Sequence, residues 1–192
     1  MPRIRAQATF NGALKALRSV KARPEIMVEE SPAPARLAPY AVALTADVIA
    51  SPNSESELAT GRFVLLYDPA GHEAWDGSFR CVTFVRAELE SEMENDPLLP
   101  EIGWAWLLES LAAHDATFVA PSGTVTRVAS QSFGQLADRM PNAEIEIRAS
   151  WTPKGTIDSH LAAWYDVLAT CAGLPPMPEG VSSISGARRG TR

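Results

Sequence analysis

Strict alternation of apolar and polar residues, repeated along the chain, limits what this sequence can fold into. At 40–49, Tyr40, Val42, Leu44, Ala46 and Val48 fall on one face of an extended segment. At 143–151, Ile145, Ile147, Ala149 and Trp151 alternate with Glu144, Glu146, Arg148 and Ser150. At 79–89, Phe79, Cys81, Val85 and Leu89 oppose Arg80, Val82, Phe84 and Arg86. Segments of this kind pair into a sheet with one covered face and one wet face, the habit of antiparallel sheets. Residues 62–67 are apolar on both faces and predict a central strand. Further strands are predicted at 25–29, 116–120 and 123–130.

Helical spacing occupies the gaps. Phe10, Ala13, Leu14 and Leu17 predict a helix over 6–20. Trp104, Leu107, Leu108 and Leu111 predict one over 101–114, and Leu161, Trp164, Leu168 and Cys171 one over 158–172. Three prolines within 31–39 make that stretch a stiff connector. The fold class is therefore α+β, with a largely antiparallel sheet of about six to seven strands and three helices. Arg-Ala recurs late in the 83–90 and 144–152 strands, each followed by a Trp-bearing helix, which is compatible with two β-β-β-α repeats. Residues 1–176 form one domain in this reading. Residues 177–192, rich in Gly, Ser and Arg, form a disordered C-terminal tail.

The net charge of −6 conceals an asymmetry. Residues 1–24 and 181–192 are basic and carry no acid; all 23 acidic residues lie between them. An acidic body repels a nucleic acid backbone except at its two ends. No apolar run approaches the ~18 residues of a membrane span, and no signal-type leader is recognisable, so a cytoplasmic protein is expected and no membrane partner. The two cysteines, Cys81 and Cys171, are expected as reduced core residues. The three histidines are scattered without metal-ligand spacing, and no phosphate loop or nucleophile elbow occurs. No cofactor or metal and no catalytic residue is assigned.

Four features carry the functional expectations. The 101–114 helix has a second apolar stripe, because Trp106 lies about 200° around the wheel from Trp104. Ile102, Trp106 and Ala113 are the candidate interface, and a homodimer would cover them. The bland account is a helix sandwiched between the sheet and another helix. The 67–79 loop gathers Asp68, His72 and Asp76, a set open to ligand binding or acid–base work, although Asp-Pro and Asp-Gly are also turn chemistry. Arg62, Arg80, Arg86, Arg127 and Arg148 lie on strands, where guanidinium forks suit carboxylate or phosphate unless the chain's own acids pair with them. Arg62, Arg80 and Arg127 join the loop residues as candidate ligand-binding groups. Lys15, Arg18 and Lys21 line the polar side of the first helix, which can face a partner or the acidic body.

The blocks APARLAPYAVAL (33–44), GRFVLLYDPAGHEAWDGSFR (61–80), NDPLLPEIGWAWL (95–107) and RASWTP (148–153) resemble a family of uncharacterised actinobacterial proteins catalogued only as a domain of unknown function. The resemblance spans about 10–176. It supplies no activity or site residue, and it implies a partner in RNA metabolism, a ribonuclease D-like protein or RNA. The leading expectation is a non-catalytic binding or protein-interaction protein. The alternatives are a small anionic-ligand-binding protein or enzyme using the 68–77 loop and the strand arginines, and an accessory factor of RNA processing.

Overall fold

The computed structural model describes residues 2–50, 56–89, 93 and 96–176. In chain order the elements are α1 (Pro2–Ser19), β1 (Ile26–Ser31), β2 (Tyr40–Ile49), β3 (Glu57–His72), β4 (Gly77–Glu88), α2 (Leu99–Ala113), β5 (Phe118–Ser130), β6 (Asn142–Pro153) and α3 (Ile157–Cys171). All six strands join one antiparallel sheet in the order β1-β2-β3-β4-β6-β5. The class is α+β. No helix among the described residues is long and apolar enough to cross a membrane. The predicted tail at 177–192, and Glu90, Glu92 and Glu94 of the acidic stretch, lie outside the described residues.

Three expectations change. The segments read as separate strands at 116–120 and 123–130 are one strand, β5. A register shift between Val119 and Ser122, with Ala120 at φ 49°, produces a bulge there. Pro121 has no N–H to give to a ladder, and a bulge accommodates that. Second, the 68–77 loop is mostly strand: β3 continues to His72, and one short helical turn (Glu73–Trp75) joins it to β4. Third, four strands precede α2 and only two follow it, so the order is not β-β-β-α twice. β6 leaves its sequence neighbour on one side and pairs with β4 on the other, placing β5 at the sheet's edge.

The three helices cover one face. α3 is central, with α1 and α2 packed against it. α1 docks through Ala6, Phe10, Ala13 and Leu17, all buried, and the Phe10 ring stacks on Tyr67 at 6.2 Å. α3 approaches β3 at Gly61, where an added methyl would stand 2.7 Å from Leu168 Cδ2 and 2.9 Å from Trp164 Cζ2. Only a glycine lets the helix seat that close. α2 lies over β5 and β6, with Gly103 against Ile145 and Val125. The opposite face of β3 is apolar as predicted, yet no helix covers it. Ala43, Val64 and Leu66 form a small second cluster there, packed by Ala38, Ala41, Trp75 and Val82.

The main core contains one histidine. His160 is fully buried, and its Nδ1 accepts the Trp151 indole N–H at 2.9 Å. Its Nε2 therefore carries the proton and faces the Lys154 carbonyl at 3.3 Å, a neutral imidazole with both nitrogens engaged. Burial holds its pKa below the ordinary histidine value of 6.5. The unfolded chain then binds a proton that the folded protein refuses. This contribution to stability is complete above about pH 6.5 and is lost as pH falls, by up to ~1.4 kcal/mol per pH unit, until the lowered pKa is reached. Urea midpoints measured from about pH 7.5 down to 5 should fall for the wild type, and less steeply for His160→Gln.

Candidate functional site

The uncovered face can be read row by row from the strand register. One row runs Arg62, Phe84, Arg148, Thr124 across β3, β4, β6 and β5. The next runs Val64, Val82, Ser150, Ser122. Neighbouring members stand about 4.8 Å apart, the strand spacing. These eight side chains, with the backbone of the same strands, line a cavity of about 530 Å³. Val64, Val82 and Phe84 give it an apolar floor. Arg62 and Arg148 flank Phe84, and three hydroxyls close the β5 and β6 side. No carboxylate of the described residues lines it.

Beside this lining, in the next row of the same face and opposite Leu66, stands Arg80, only 7% exposed. Its Nη1 donates to the Ala120 carbonyl at 2.8 Å and to Thr152 Oγ1 at 3.2 Å; its Nη2 donates to Ser150 Oγ at 2.8 Å and to Ser122 Oγ at 3.2 Å. All four acceptors are neutral, and no carboxylate pairs with Arg80 among the described residues. Burial pulls its pKa below the ordinary arginine value. Buried charges are normally paired, so this one is an exception. It also orients its neighbours. Because Ser122 and Ser150 accept from the guanidinium, their own protons must point elsewhere. With the two oxygens 3.2 Å apart, one hydroxyl can donate to the other, which leaves the remaining O–H free to donate to a further acceptor.

The other arginines of this face divide by partner. Arg86 forms a bidentate pair with Glu144, at 2.8 and 2.7 Å, which raises its pKa. Arg148 pairs with Glu146 at 2.9 Å while its guanidinium lies over the Phe84 ring, 5.3 Å from the centroid. Arg62 donates to the Pro32 carbonyl at 2.6 Å and has no carboxylate partner among the described residues. Among the described residues, internal pairing thus accounts for Arg86 and Arg148 and leaves Arg62 and Arg80 without acids.

The structure divides the residues singled out from the sequence. Arg62 lines the cavity and Arg80 borders it, in contact with Ser122 and Ser150. Asp68, His72 and Asp76 sit at the β3–β4 hairpin end and do not line it. Asp68 accepts the Ala70 N–H at 2.9 Å, an Asx turn, and Asp76 takes the left-handed conformation at φ 55°. His72 is exposed and stacks on Trp75 at 4.8 Å. The loop's work is structural: Trp75 covers Val64 and Leu66, and its carbonyl accepts the Thr152 hydroxyl. Arg127 is exposed on β5 opposite Ile145, on the helix-bearing face. In α2, Ile102 and Trp106 are half-buried and Ala113 is exposed; Trp106 packs on the main core, and α2 contacts both α3 and strands β5 and β6. Of the eight lining side chains, all but Arg62 are missing from the candidate residues: Val64, Val82, Phe84, Ser122, Thr124, Arg148 and Ser150. Alternation already turned Phe84, Arg148 and Ser150 to one side of their strands, but only the pairing of β6 with β4 puts them side by side.

Neither cysteine offers a nucleophile here. Both are buried and free, and burial pushes the Cys171 thiol up to about 12 and Cys81 upward as well. Among the described residues no group of His, Cys, Asp and Glu is arranged to hold a metal ion.

Residues 6–182 match the family model described as protein of unknown function (DUF3000). The chain belongs to this family. No curated protein and no solved structure matches it.

Arg80 can be tested apart from any ligand. Lysine keeps the charge but has three donors on one nitrogen, and it cannot span a carbonyl and three hydroxyls on two strands. Arg80→Lys should lower unfolding stability by about 1–3 kcal/mol, read from urea denaturation.

Proposed function

We propose that the protein binds a small amphipathic anion on the helix-free face of its sheet. The observation that carries this reading is the charge imbalance at the cavity. Among the described residues, Arg62 and Arg80 stand without carboxylates, Arg148 pairs with Glu146, and no acid lines the space. The volume lies within the 300–1,000 Å³ usual for small-molecule sites, and an apolar floor with a few converging polar groups is their usual make-up. An aromatic or branched apolar body would lie on Val64, Val82 and Phe84. Its carboxylate or phosphate oxygens would accept from Arg62, Arg148, the Thr124 hydroxyl and the one hydroxyl of the Ser122–Ser150 pair not spent on the other.

Binding fits this lining better than turnover. Its groups are hydrogen-bond donors and apolar surface, with no imidazole, carboxylate or thiol positioned to move a proton. A protein-interaction role through α2 draws less support, since Trp106 is engaged with the core. A nucleic-acid role through the basic α1 is likewise less favoured, because the apolar stripe of α1 is spent on docking and Arg18 reaches Glu30 at 3.4 Å.

Naphthalene-2-carboxylate is a suitable probe, with naphthalene-2-methanol as its uncharged counterpart, both read by isothermal titration calorimetry. The carboxylate should bind more tightly than the alcohol, and added salt should weaken it. Arg62→Ala and Arg148→Ala should each weaken it roughly 10- to 100-fold, the value of a charged hydrogen bond. Equal affinity for the two probes, or affinity unchanged in both variants, contradicts the reading.

A further inference from the structure

We propose that two copies of this chain join through the outer edge of β5, so that their sheets run on as one. This inference does not depend on the ligand reading.

The two edges of the sheet are treated differently. β1 is six residues long and carries Glu29 and Glu30, the short and charged form by which edges avoid pairing. β5 is thirteen residues long, and Arg127 is its one charged residue. Among the described residues its one strand partner is β6. Its outer backbone groups therefore offer a ladder to another strand. The bulge and Pro121 interrupt that ladder at one end and the strand stops at Ser130 at the other, leaving 122–130 as a regular run.

That run is complementary to itself. Its midpoint is Thr126, and an antiparallel pairing about a two-fold axis there uses every residue from 122 to 130. On the helix-free face it opposes Ser122 to Ser130, Thr124 to Val128 and Thr126 to its own copy. On the helix-bearing face it opposes Gly123 to Ala129 and Val125 to Arg127. Hydroxyl meets hydroxyl at both ends and at the centre, small meets small, and no like charges face each other, which are favourable cross-strand pairs. The same symmetry brings the 131–141 connection of one copy beside the bulged 119–121 segment of the other. That connection carries Phe133, Leu136 and Met140, three of the seven exposed large hydrophobic side chains among the described residues. Their exposure marks this end of the sheet as a contact surface. This complementarity selects a second copy over an unrelated strand. Ser122 and Thr124, which line the cavity, would then stand beside Ser130 and Val128 of the other copy.

Sedimentation equilibrium of the full chain, up to about 100 μM, tests the proposal by mass action. The wild type should approach twice the 20.7 kDa chain mass. Thr126→Lys, which places two ammonium groups across the axis, should shift the chain to the monomer, while Glu29→Lys on the opposite edge should not. Because Thr126→Lys could unfold the chain, amide hydrogen exchange of the wild type gives a second reading: protection of 122–130 should fall on dilution. A wild type that stays at the chain mass, a dimer that survives Thr126→Lys in a folded variant, or exchange at 122–130 that ignores concentration overturns the proposal.

Discussion

Three helices can cover one face of a six-stranded sheet, and the other face must meet water with its own side chains. That asymmetry organises the molecule. On the covered side the requirement is close packing, met by glycines where helices land: Gly61 beneath Trp164 and Leu168, and Gly103 of α2 over Ile145. On the open side the requirement is to hold a twisted sheet together without a second layer. The chain answers with a small apolar cluster at Val64 and Leu66, a bidentate Arg86–Glu144 pair, and a buried guanidinium that ties β4 to β5 and β6.

Arg80 is where structure and function meet. As a brace it joins three strands through four neutral oxygens. Neutral acceptors, however, satisfy hydrogen bonds without cancelling charge. Replacing one with a carboxylate would have been an easy change in so acidic a chain, and a buried guanidinium paired with a carboxylate is the more common arrangement. The uncancelled charge lies against two serine hydroxyls that line the cavity, and in a partly desolvated site its field reaches further than it would in water. An anion bound beside it would complete the pairing that the described residues leave open.

Much of the fold was legible in the sequence because it is written in local periods. The alternation at 40–49 and 143–151 placed β2 and β6 almost to the residue, and the prolines at 31–39 marked the connector. The order of strands was not legible, because the β4–β6 pairing joins residues about 60 apart through register alone. The candidate site suffered for the same reason. Asp68, His72 and Asp76 drew attention by being close in sequence, but turn geometry uses the two aspartates. Arg62, Arg148, Ser122 and Ser150 come from three strands and share a site only once the sheet is assembled. The two apolar stripes of α2 have a plain explanation in its contacts with the sheet and with α3 alongside.

The central claim is that the helix-free face is the ligand-binding face. Its most direct measurement is a backbone amide chemical-shift map of the isotope-labelled protein during titration with naphthalene-2-carboxylate. The largest changes should fall at Arg62, Phe84, Ser122, Arg148 and Ser150, with the β3–β4 hairpin end and the helices little affected. Changes centred on Asp68–Asp76 or on the helix-bearing side, or none at all, would contradict it.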